Sequence, residues 1–212
     1  MVRLAISIFI FAIFHGCFAS ISKSEFYESL TANGYAAPSD ATIYTYFKQA
    51  TKSYSREEIA MLLAQLIHES GGFQFREELA CAKTNCPGQY VDSVGLPGKY
   101  YYGRGFMQLT WGANYKACSN DLGYGDRFLQ NPDEVASSTK YCVQVSTWYW
   151  ETRVRPVLGK SNKFGLTTKA INGAIECSGG WNERAANRYK VYLKIAEVMK
   201  IKDKAVENGC YN

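Results

Sequence analysis

Residues 55–72 read SREEIAMLLAQLIHESGG, and this stretch decides the fold class. Ile59, Leu62, Leu63, Leu66 and Ile67 recur at helical spacing, which predicts an amphipathic helix with one apolar stripe. Ser55 followed by Glu58 reads as a capping box, and Tyr54 with Ile59 as the hydrophobic staple around it. Gly71-Gly72 stops the helix, because glycine enters the left-handed backbone that a helix end requires.

Working outward, Ser22 and Glu25 open a short helix through Phe26 and Leu30 that stops at Asn33-Gly34. A second follows Pro38-Ser39, with Ile43, Tyr46, Phe47 and Ala50 on one side. Downstream, from Gly71 to about Ala113, the 3.6-residue period disappears. Gly, Pro, Tyr and two cysteines crowd this stretch, which reads as loop with short strands. Helical spacing returns over about 115–122, 135–150 and 167–175. After the breaker Gly179-Gly180 comes a last long helix, with Ala185, Tyr189, Tyr192, Leu193, Ala196 and Met199 on one face. The pattern is one mainly helical domain with an irregular excursion.

Composition and charge exclude several classes. The chain has 212 residues, 47% hydrophobic, 15% aromatic and 20% charged, with a formal charge of +5. A disordered chain would be poor in aromatics and biased to one charge. Without runs of Lys or Arg, +5 is too diffuse for a nucleic-acid surface. Residues 1–19 read as a secretory signal peptide: Arg3, an apolar run from Leu4 to Phe14, and small residues closing at Ala19. Its removal takes one basic residue and leaves a domain over 20–212 with charge +4. Six cysteines remain, Cys81, Cys86, Cys118, Cys142, Cys177 and Cys210. An even count in an exported chain reads as three disulfides, with fifteen possible connectivities. With His68 as the sole histidine after the signal and no Cys-x-x-Cys, a zinc site is not expected.

The candidate chemistry starts at Glu69. Counting from Ile59, it lies at about 280° on the helical wheel, beside the apolar stripe. A carboxylate there is partly desolvated, which disfavours its charged form and suits a general acid. Glu78 follows nine residues later. On an unbroken helix the two would face opposite ways; the double glycine lets the chain fold back through a short extended segment over Phe73–Arg76 and aim Glu78 at Glu69. Two carboxyls about 6.5–9.5 Å apart leave room for a water between them and the bond being cut, the geometry of inverting glycoside hydrolysis. Residues 100–115 read YYYGRGFMQLTWGANY, aromatic rings interleaved with amides and a hydroxyl, a combination that suits a sugar.

Four blocks in order, HESGG at 68–72, YYGRG at 101–105, QLT at 108–110 and INGAIEC at 171–177, resemble the family 19 chitinases. The likeness runs from about Ser22 to Cys210, and the short gap between the glutamates is similar to the compact members. The resemblance implies a lysozyme-like, mainly α fold of α+β type, a bilobal helical domain with a deep cleft and a short irregular β/loop excursion. It implies a secreted endo-chitinase acting on β-1,4-linked N-acetylglucosamine with inversion. By position, Glu69 is the general acid and Glu78 the general base. Thr110 stands where the family has Ser and holds the water. Gln108, Asn114, Asn172 and Tyr102 fall on substrate-binding positions, and Glu176 with Arg188 match a charged pair behind the carboxylates.

His68 reads as a packing residue, and register with the compact members favours Glu78 over Glu77 as base. Ala113 departs from the family, which has an aromatic residue there. The resemblance implies a Cys177–Cys210 disulfide; sequence proximity then pairs Cys81 with Cys86 and Cys118 with Cys142. No cofactor or metal is expected. The expected partner is chitin or a chitooligosaccharide, with no nucleic acid, no membrane after signal cleavage, and a monomeric state. Two other functions fit the same residues: a peptidoglycan hydrolase, since that polymer shares the β-1,4 amino-sugar backbone, and a chitin-binding protein without catalysis.

Overall fold

The computed structural model describes residues 20–212, so the signal segment lies outside the described residues. Eleven α-helices are found there: α1 Lys23–Ala32, α2 Thr42–Ala50, α3 Arg56–Ser70, α4 Leu79–Ala82, α5 Gly112–Asp121, α6 Arg127–Gln130, α7 Glu134–Ser137, α8 Thr139–Tyr149, α9 Arg155–Leu158, α10 Phe164–Glu176 and α11 Glu183–Val198. A π-helical turn, Trp150–Val154, joins α8 to α9. The strands expected in the excursion reduce to isolated bridges, Glu77 with Arg104 and Arg104 with Leu109.

Helix α3 is the axis of the larger lobe. Every residue from Ile59 to Ile67 is buried, so the expected stripe is a full circumference, as for any helix enclosed on all sides. It packs along α11 and against α10, while α1 closes over α11. Phe26, Phe47, Trp150, Tyr192 and Ile195 complete this core. A second cluster gathers Tyr101, Leu109, Tyr115, Phe128, Val145 and Trp148 from α5, α6, α8 and the 101–109 loop. Helix α8 serves both, turning Cys142 and Val143 to the first cluster and Val145 and Trp148 to the second. The result is a helical, two-lobed molecule.

The cap of α3 is half of what its sequence suggested. Ser55 Oγ accepts the Glu58 N–H at 3.1 Å, but the Glu58 carboxylate does not return to the cap. It accepts instead from Trp150 Nε1 at 2.7 Å and Arg155 Nε at 2.6 Å, a buried and a half-buried donor that both turn toward it. The reciprocal box forms at α1 instead, between Ser22 and Glu25. The helix expected over 135–150 is also interrupted: α7 stops at Ser137, and Ser138 caps α8 by accepting the Tyr141 N–H at 3.2 Å.

Cys81 is bonded to Cys86, and Cys177 to Cys210. The expected Cys118–Cys142 bond is absent; both are buried free thiols. Cys118 packs in the second cluster, whereas Cys142 packs in the first and donates its S–H to the Val135 carbonyl at 3.4 Å. Burial pushes both thiols up, Cys142 to about 12, which makes them poor nucleophiles. Protein lacking residues 1–19 is therefore expected to take up two equivalents of alkylating agent when denatured without reductant, and none when native. Intact mass spectrometry reads both numbers.

Candidate active site

The turn after α3 is built differently from the expected extended segment. Gly71, Gly72 and Phe73 all have positive φ, 58°, 70° and 67°. A Cβ on Gly72 would stand 2.5 Å from the Tyr35 ring, so only glycine fits there. Buried Ser70 holds the turn: its Oγ donates to the Leu66 carbonyl at 2.6 Å and accepts the Phe73 N–H at 2.8 Å. The chain then pairs Glu77 with Arg104 and brings Glu78 beside Gly103. Glu78 N–H donates to the Gly103 carbonyl at 2.8 Å, and Gly103 N–H donates to Glu78 Oε2 at 3.3 Å. A side chain on Gly103 would meet Gln108 Oε1 at 2.9 Å and the Glu78 Cβ at 3.4 Å, which explains the glycine.

Glu69 and Glu78 line one groove of about 660 Å³. Thr110, Gln108, Asn114 and Asn172 line it too, so six sequence-selected residues from four separate segments meet there. Tyr102 does not. It is buried, with the Arg104 guanidinium 3.6 Å from its ring centre, a packing role the tyrosine-rich composition hid. Glu77 also faces elsewhere, lining a different depression with Phe75, Leu79 and Asp133 and lying 3.7 Å from Arg104 Nε.

Sequence reasoning did not single out Tyr90, Trp111, Tyr149, Ile171 or Ile175, which also line the groove. Trp111 and Ile175 had one usable signal, a large apolar side chain beside polar candidates, and they are 44% and 64% exposed. Gln108 and Trp111, flanking Thr110, both adopt positive φ, 54° and 74°. Such backbone strain persists where surrounding contacts over-determine it. Here the contacts are visible: Gln108 Nε2 donates to the Gly105 carbonyl at 2.9 Å, and Trp111 N–H donates to the Tyr101 carbonyl at 2.9 Å. Asp92, 21 residues away, accepts the Ala113 N–H at 2.8 Å and so caps α5, which carries Asn114. Arg153 in the π-helical turn donates to Asn114 Oδ1 at 3.3 Å.

Behind Glu69 lies a buried charge cluster. Arg188 on α11 grips Glu176 with two bonds, 2.8 Å and 2.7 Å, and both side chains are about 1–2% exposed. The same guanidinium lies 2.6 Å from Glu69 Oε1 and donates to Gln65 Oε1 at 2.8 Å. Asn172 Nδ2 donates to Glu176 Oε1 at 2.8 Å, from a position where α10 departs from helical geometry (φ −141°, ψ 35°). Burial acts to raise the Glu176 carboxyl, yet Arg188 and Asn172 outweigh it and hold it below the usual carboxylate range. Burial, aided by Arg188, lowers His68 to about 4, so this histidine is neutral at physiological pH; its Nδ1 lies 3.4 Å from Asn187 Nδ2. The Glu69 side chain is 17% exposed, desolvated as the wheel suggested and also paired with a cation.

A two-lobed helical body with paired carboxylates, amides and aromatic rings in its groove has the architecture of the lysozyme-like proteins. The family model described as chitinase class I, glycoside hydrolase family 19, matches residues 13–162, and the chain belongs to that family. It is 38% identical over 188 residues to an endochitinase of Arabidopsis thaliana, covering 84% of this chain and 64% of that one. It is 32% identical over 193 residues to chitinase 6 of Oryza sativa subsp. japonica, covering 84% and 70%. The chain spans between half and about two thirds of the length of the Arabidopsis endochitinases it matches. Among solved structures, chitinase C from Streptomyces griseus HUT6037 superposes with a TM-score of 0.71 at 26% identity, covering 88% of this chain and 78% of that one.

Proposed function

We propose that this protein is a secreted, monomeric endo-chitinase that hydrolyses β-1,4-linked N-acetylglucosamine polymers with inversion. The observation that carries the reading is the convergence of Glu69 and Glu78 on one groove with Thr110 and three amide side chains. In this reading Glu69 protonates the glycosidic oxygen. Arg188 engages its Oε1, which leaves Oε2 to deliver the proton, and the cation it meets is already matched by Glu176. Glu78, whose oxygens accept hydrogen bonds from Tyr90 and Gly103, takes a proton from the attacking water. The Thr110 hydroxyl holds that water, and Gln108, Asn114 and Asn172 supply polar partners for hydroxyl and acetamido groups. Proton transfer and a water suffice for the chemistry, so no cofactor enters it.

The first test is NMR of the product released from a chitin oligomer, where inversion gives the α-anomer initially. Glu78→Gln is expected to lower kcat by about 10³-fold, whereas Glu77→Gln stays within about twofold of the parent. A larger loss from Glu77→Gln would reverse the assignment. Faster lysis of bacterial walls than cleavage of chitin oligomers would move the substrate to peptidoglycan. Tight chitin binding without sugar release would make the protein a binding module.

A further inference from the structure

Tyr90 belongs to none of the blocks that drew attention to the groove, yet its hydroxyl donates to Glu78 Oε1 at 3.1 Å. Glu78 Oε2 accepts from the Gly103 N–H, so each carboxylate oxygen has its own donor. The tyrosine is held from several sides. Its backbone has φ of +53°, a strained value for a residue with a bulky side chain. Its ring packs on the small cluster of Cys81, Cys86 and Tyr102, where the Cys81–Cys86 bond closes the preceding turn. The ring also meets the Trp111 ring edge-on, with centroids 5.7 Å apart. Burial and the nearby Glu78 carboxylate push the hydroxyl above its ordinary value, so it remains a donor.

Resting on the assignment of Glu78 as base, we infer that Tyr90 is a positioning residue: its hydroxyl fixes the plane of the Glu78 carboxylate toward the water. A carboxylate with a donor on one oxygen only can rotate about its terminal bond, and productive proton transfer needs the lone pair aimed within a narrow cone. The disulfide, the strained backbone and the Trp111 contact aim the hydroxyl before substrate arrives.

Tyr90→Phe removes the hydroxyl and keeps the ring. On a chitin oligomer it is expected to lower kcat by about 10- to 100-fold, with KM within about twofold and the thermal midpoint within about 2 °C of the parent. Three outcomes overturn the inference: an unchanged kcat, a loss carried by KM, which would make Tyr90 a substrate contact, or a fall in the thermal midpoint that accounts for the lost activity. Glu78→Gln measured alongside separates the two levels. If that variant turns over like the parent, the assignment of the base fails and takes this inference with it. If it is inactive while Tyr90→Phe is fully active, only the role of Tyr90 fails.

Discussion

Glu69→Gln is expected to lower kcat on chitin oligomers by about 10⁴-fold, the upper end of what a positioned acid contributes. Oligosaccharide affinity, measured by calorimetry on the variant, should stay within a few-fold of the parent. The amide keeps the shape of the side chain, and its oxygen can still accept from Arg188, but it has no acidic proton for the leaving group. The thermal midpoint should fall by only a few degrees, since Glu176 retains its bidentate grip on the guanidinium. A variant with more than a tenth of the parent turnover would remove Glu69 from the chemistry. One that had lost oligosaccharide binding would recast it as a substrate contact.

Arg188→Met should have the largest effect on stability, a loss of about 3–5 kcal/mol, because it strands the carboxylate of Glu176 in the core. Against a total of about 5–15 kcal/mol for a typical domain, that is a large share. The pH dependence should also change sign. In the parent, Glu176 sits below its ordinary value of 4.5, so the stability it lends is present above that pH and fades as pH falls through the lower folded value. Without Arg188, burial is opposed only by the Asn172 hydrogen bond and His68, and the carboxyl is expected to rise. The variant is then most stable in acid and loses stability as pH rises past 4.5. Urea unfolding at pH 4 and pH 8 reads the reversal. Arg188→Lys, which keeps a charge but not the fork, should fall between. If Arg188→Met unfolds at the parent's urea concentration at both pH values, the cluster is not a stability element.

Much of this arrangement is written in local pattern. The stripe of α3, its serine cap and its terminal double glycine are short-range features, and they place Glu69 at a helix end. Glu78 needed more, since its final position depends on the pairing of Glu77 with Arg104, a contact between residues 27 apart in the chain. The loop over 83–101 resisted reading because its contacts are irregular: Tyr90 and Asp92 act through Glu78 and α5, and no periodicity records that. Tyr102 misled because a tyrosine in a sugar-like composition looks the same whether it faces a groove or lies under Arg104. The Cys118–Cys142 pairing failed for a related reason. An even count says nothing about which way two helices turn their cysteines, and here each faces a different cluster.

The bond between Cys177 and Cys210 spans 33 residues and encircles the whole of α11. In the chain-entropy account, closing a segment of that size is worth about 4 kcal/mol. Arg188 rides on the encircled helix, so a covalent link at the molecule's edge underwrites the charge cluster behind Glu69. Reducing surroundings would remove that contribution to the stability of the segment that carries Arg188, while oxidising ones preserve it.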